Sequence, residues 1–106
     1  MAIKIRGKKD PSIRQFVAAL ERYQAQHENA EIEVFRRNSA AIRVCVVDPD
    51  FEGKSDHERD RMVWPLLQQL PRDVIWELSI LLLLTPDETK KSFAYFDFKH
   101  PLPSRL

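Results

Sequence analysis

The sequence predicts a mixed α+β domain in the order helix, strand, strand, helix, strand, helix, with a three-stranded mixed sheet carrying its helices on one face. Three observations predict it. Apolar residues recur at helical spacing after Asp10-Pro11 and again after Ser55. A tight turn at Asn38-Ser39 separates two strand-like runs. A third strand-like run ends in the unbroken apolar stretch Ile80-Leu81-Leu82-Leu83-Leu84.

The opening residues, 1–9, read as a basic arm or a short edge strand, because Ile3 and Ile5 alternate with Lys4 and Arg6. Asp10 followed by Pro11 is a helix start, an acceptor at the N-cap and a proline at the first helical position. Ile13, Phe16, Val17, Leu20 and Tyr23 then share one face, so the first helix is expected to reach about Gln26. Residues 31–37 and 41–47 read as an antiparallel hairpin, closed off by Asp48-Pro49-Asp50.

Ser55-Asp56-His57-Glu58 has the spacing of a capping box, with Met62, Val63, Leu66, Leu67 and Leu70 as the buried stripe behind it. Pro65 lacks the N–H that would bond the Arg61 carbonyl, so it is expected to kink or split this helix; Pro71 stops it. Residues 74–84 read as the main strand, with Trp76, Leu78, Ile80, Leu82 and Leu84 on one face and Ile75, Glu77, Ser79, Leu81 and Leu83 on the other. Thr85-Pro86-Asp87-Glu88 opens a short helix or turn. Phe93, Tyr95, Phe96 and Phe98 are expected to fold back over the end of the sheet or to meet another subunit. Residues 10–98 thus form one domain, and 99–106, with two prolines, read as a loose tail.

Composition sets the outer bounds. The chain has 106 residues, 43% hydrophobic and 31% charged, with a formal net charge of +1. That length suits one domain burying about 65% of its unfolded surface. Near-neutral charge argues against a surface devoted to nucleic acid, while allowing a local patch. Cys45 is the single cysteine, which excludes an intrachain disulfide and a paired-cysteine zinc site and suits a reducing, cytoplasmic setting. The basic start lacks the apolar run of a signal peptide, and no apolar run approaches the roughly 20 residues of a membrane span.

Within residues 42–88 the motifs, in their order, resemble the BolA-like family, whose fold is KH-like. The strand Ile42-Arg43-Val44-Cys45-Val46-Val47 is followed by Phe51-Glu52-Gly53-Lys54-Ser55, similar to the family's Phe-x-Gly-x-Ser loop. Glu58-Arg59-Asp60-Arg61 resembles its Arg-His-Arg helix signature, Ile75-Trp76-Glu77-Leu78 its His-Ala-Leu strand, and Thr85-Pro86-Asp87-Glu88 its Thr-Pro-x-Glu start to the last helix. The resemblance implies a small adaptor that pairs with a glutaredoxin-like protein. Asp60 and Trp76 stand where the family has histidines, however, and the loop 38–40 holds neither His nor Cys. An indole nitrogen is a donor only and cannot ligate a metal. Shared iron–sulfur ligation is therefore not expected, and neither a cofactor nor a metal is assigned.

The chemistry-bearing residues point to no reaction. His27, His57 and His100 are far apart in sequence, Cys45 has no base beside it in the pattern, and Gly7 and Gly53 are the only glycines, too few for a phosphate-cradling loop. The acidic residues Asp48, Asp50, Glu52 and Asp56 read as a solvated loop, with a weak cation site as the alternative.

The expected function is non-catalytic protein binding. The candidate contacts are Phe51, Gly53, Lys54, Ser55, Arg59, Asp60, Arg61 and Trp76, although the position of Trp76 in an apolar strand face suits a core residue better. The alternative is a nucleic-acid-binding regulatory module using Lys4, Arg6, Lys8, Lys9, Arg36, Arg37 and Arg43. A weak homodimer through the apolar strand and aromatic segment is a further reading, and no membrane partner is expected.

Overall fold

The computed structural model of the chain describes residues 3–101. Strand β1 (Ile3–Arg6) leads into helix α1 (Pro11–Gln26), followed by β2 (Glu31–Asn38) and β3 (Ala41–Val47). A 3-10 turn at Pro49–Phe51 precedes α2 (Asp56–Leu67) and the single-turn α3 (Arg72–Ile75). Strand β4 (Leu78–Leu84), a second 3-10 turn at Glu88–Lys90 and α4 (Phe93–Lys99) complete the fold.

The local signals explain most of these elements. Asp10 accepts from the Ile13 amide at 3.0 Å and Pro11 opens α1. Ser55 and Glu58 exchange both bonds of the capping box, at 3.2 and 2.9 Å. Thr85 and Glu88 repeat the exchange at the turn after β4. Pro65 neither splits nor ends α2, which continues to Leu67.

The sheet has four strands in the order β1-β2-β3-β4, the three expected together with the short N-terminal edge strand read as an alternative, which runs parallel to β2. Strands β2 and β3 are antiparallel, and β3 and β4 are parallel. Helices α1 and α2 cover one face. Ile13, Phe16 and Leu20 of α1 and Val63 and Leu67 of α2 pack against Ile32, Val34, Ile42, Val44 and Val46, all buried.

The expectation that every helix lies on that face is corrected. On the opposite face Cys45, Val47, Phe35 and Leu82 lie under Phe98 and Tyr95 of α4. Burying a side chain such as Phe98 contributes about 1.5–3 kcal/mol. Polar ties hold α4 in place. Lys99 bonds Glu33 at 2.6 Å, and Arg43 bonds Asp97 at 3.2 Å. The guanidinium of Arg6 donates to the Phe98 and Lys99 carbonyls at the helix end while lying 4.1 Å from the Phe35 ring centre. Lys99 is thus an ordered helical residue rather than part of a loose tail; residues 102–106 of that expected tail lie outside the described residues.

The main strand starts four residues later than its period-two pattern suggests. Pro71 directs residues 72–75 into a helical turn, with the Ile75 amide bonded to the Pro71 carbonyl and the Trp76 amide to that of Arg72. Trp76 is therefore no core residue; it ends α3 and is 78% exposed. The face assignment also breaks. Ile42 pairs with Leu78 but Arg43 with Ile80, so Ser79 is an extra residue. That bulge puts Leu78 on the α1/α2 side together with Leu81, while Leu82 faces α4.

Candidate binding surfaces

Arg59 anchors the loop before α2 to β4. It is 6% exposed. Its Nε donates to the Lys54 carbonyl at 3.0 Å and its Nη1 to the Leu83 carbonyl at 3.1 Å. Both terminal nitrogens meet the Glu88 carboxylate, at 2.6 and 3.1 Å. The bond from Arg59, with the Thr85 amide second, holds the Glu88 carboxyl at about 2, well below its ordinary value. The Phe51 ring lies beneath the guanidinium, 5.7 Å away, and is fully buried. Arg59 and Phe51 are therefore struts of the fold, and their side chains offer nothing to a partner.

The remaining candidates of this group are at the surface. Gly53 turns the loop at φ +76, a left-handed conformation that glycine adopts without cost. Lys54, Ser55, Asp60 and Arg61 are exposed. Asp60 and Arg61 flank a groove of about 660 Å³ between α2 and β4, together with His57, Trp64, Pro65, Gln68 and Leu81. His57, Arg61, Trp64 and Gln68 fall on one side of α2 by helical spacing. Sequence reasoning did not single out Trp64, read Pro65 only as a break in the helix and placed Leu81 on a strand face needing cover, so this groove went unnoticed.

Three of the seven basic candidates are paired with carboxylates. Arg36 bridges Asp10 and Glu77, each at 2.8 Å, and so ties β2 to the start of α1 and to the segment entering β4. Arg43 is engaged by Asp97 and Arg6 by Glu33 at 3.0 Å. Arg37 is half-buried, and Lys4, Lys8 and Lys9 are exposed. A guanidinium already satisfied by a carboxylate gives little to a phosphate.

The histidines are less isolated than their spacing suggests. His27, at the end of α1, stacks on Tyr23 with ring centres 4.1 Å apart, and its Nδ1 lies 2.8 Å from Asp50 and 3.4 Å from Asp48. Asp48 is fully buried and accepts from the Tyr23 hydroxyl at 2.5 Å and from the Asp50 amide at 2.9 Å. Burial and the Asp48 carboxylate both push the Tyr23 phenol upward. His27, Asp48 and Asp50 place a potential ligand atom each within 4.8 Å of one another. Yet the tyrosine, the amide and the imidazole already satisfy the buried carboxylate, so the network locks α1 to the end of β3. No sequence signal links residues so far apart.

Cys45 is buried, and desolvation, with Glu33 adding to it, pushes its thiol up to about 12. Little of it is thiolate at neutral pH, the form that reacts and ligates. Among the described residues no helix is long and apolar enough to cross a membrane. No family model matches the chain, and no curated protein matches it.

Proposed function

We propose that the chain is a non-catalytic, BolA-like adaptor that binds a protein partner through the outer face of α2 and the adjoining strand β4, without ligating an iron–sulfur cluster. The observation that carries this reading is the groove between them, where Trp64, Pro65 and Leu81 form an apolar floor and Asp60, Arg61 and His57 a charged rim. An apolar centre with a polar rim is the usual anatomy of a protein-binding patch. Two further observations support it. Strand β3 is antiparallel to β2 and parallel to β4, the mixed core that the resemblance implies. Trp76, at the position where the family has a ligating histidine, faces solvent, and exposed tryptophans are favoured anchors at interfaces.

The partner class is a glutaredoxin-like protein. Replacing Arg61 by Glu and Trp76 by Ala is expected to weaken binding of a monothiol glutaredoxin while leaving the thermal midpoint unchanged. Unaltered affinity in both variants would remove this surface from the assignment. The nucleic-acid alternative is weaker because Arg6, Arg36 and Arg43 are held by carboxylates. It requires an affinity that falls steeply with salt.

A further inference from the structure

The edges of the sheet are built differently. Strand β1 is four residues long and alternates isoleucine with Lys4 and Arg6, a pattern that blunts an edge against pairing. Strand β4 forms the other edge. It is seven residues long, Leu78 to Leu84, with neither a charge nor a proline. The Leu84 carbonyl accepts from the Asp48 amide, on the β3 side. Strand alternation turns the backbone groups of Leu81 and Leu83 the opposite way. The Leu83 carbonyl is engaged there by Arg59. The Leu81 N–H and carbonyl open toward a cleft of about 400 Å³ that runs along Leu81, Leu82, Leu83 and Leu84, walled by Asp56, Arg59 and Asp60.

We propose that this edge pairs with the same edge of a second copy. The strands run antiparallel about a two-fold axis at Leu81, whose N–H and carbonyl exchange bonds with the second copy's Leu81, and the two sheets become one. A strand fitting this edge must be apolar on both faces, since Leu81 belongs to the α1/α2 core and Leu82 to the α4 side. Strand β4 itself meets that requirement. The charges are self-complementary as well. Asp60 and Arg61 line the same groove as Leu81, so each copy carries one charge of either sign beside the axis. Arg59, already on the Leu83 carbonyl, limits the new ladder to its centre, which makes the dimer reversible.

The dimer covers Leu81, Asp60 and Arg61 of the partner groove, so a second copy and that partner compete for this edge, and the chain alone, with no partner present, reports the dimer separately. It is tested on the full chain by sedimentation velocity over about a hundredfold range of concentration, with amide exchange at Leu81 measured at both ends. The expected result is a shift from one-chain to two-chain mass as concentration rises, with slower exchange at Leu81. Ile80→Lys introduces a charge at a half-exposed position outside both core clusters and is expected to hold the chain monomeric. A one-chain mass throughout would overturn the proposal. So would a dimer that leaves Leu81 exchange unchanged, a result readable in the unsubstituted chain even if the variant folds poorly.

Discussion

Arg59 Nη1 donates to the Leu83 carbonyl at 3.1 Å, on the side of β4 turned away from β3. One side chain thereby satisfies an edge-strand carbonyl, the Lys54 carbonyl and the Glu88 carboxylate together. Replacing it with leucine strands two carbonyls at once and is expected to cost about 2–3 kcal/mol. Chemical denaturation reads this as a lower midpoint at unchanged m-value.

The same pair sets a pH dependence. Glu88 has its carboxyl at about 2 in the fold, against an ordinary value of 4.5. Because the folded value is the lower one, its contribution is complete above about pH 4.5 and declines as pH falls toward 2. The stability difference between the unsubstituted chain and Glu88→Gln should therefore be constant above pH 4.5 and vanish near pH 2. Urea unfolding across that range measures it. A difference that does not vary with pH would dissociate the carboxylate charge from the effect.

Cys45 should resist alkylation in the native state. With its thiol pushed up to about 12 by burial, the thiolate is scarce at pH 8 and the sulfur is covered by α4. Iodoacetamide is expected to label it only as the chain unfolds, or more readily in Phe98→Ala, which removes the buried ring above it and costs about 3–5 kcal/mol. Mass spectrometry after timed exposure follows the reaction.

Trp76→Ala should change stability by no more than about 0.5 kcal/mol, the usual range for surface positions, since the side chain is 78% exposed. Acrylamide should quench Trp76 fully and Trp64 only in part, because Trp64 packs against the core. A loss of several kcal/mol would return Trp76 to the core.

How much of this was legible in the sequence follows from the range of the interactions. Helix α1, the hairpin and the start of α2 are written in neighbouring residues: Asp10 with Pro11, the turn at 38–40, Ser55 with Glu58. The entry to β4 is misread because alternation is extended back to Val74, into the helical turn that follows Pro71. The bulge at Ser79 then exchanged the faces of a strand too uniformly apolar to reveal its register. The candidate site was half legible. Asp60, Arg61 and Trp76 are exposed, whereas Arg59 and Phe51, candidates from the same stretch, point inward. The inward course of Arg59 depends on Glu88 and Leu83, more than twenty residues away in sequence. The Tyr23–Asp48–His27 network was invisible for the same reason.

An amide chemical-shift titration of the labelled chain with a monothiol glutaredoxin decides whether the α2–β4 groove is the binding surface. The account predicts saturable shifts confined to Asp60, Arg61, Trp64, Trp76 and Leu81, reduced in Arg61→Glu. A spectrum that does not change at saturating partner, or shifts centred on Lys4, Lys8 and Lys9 instead, would contradict it.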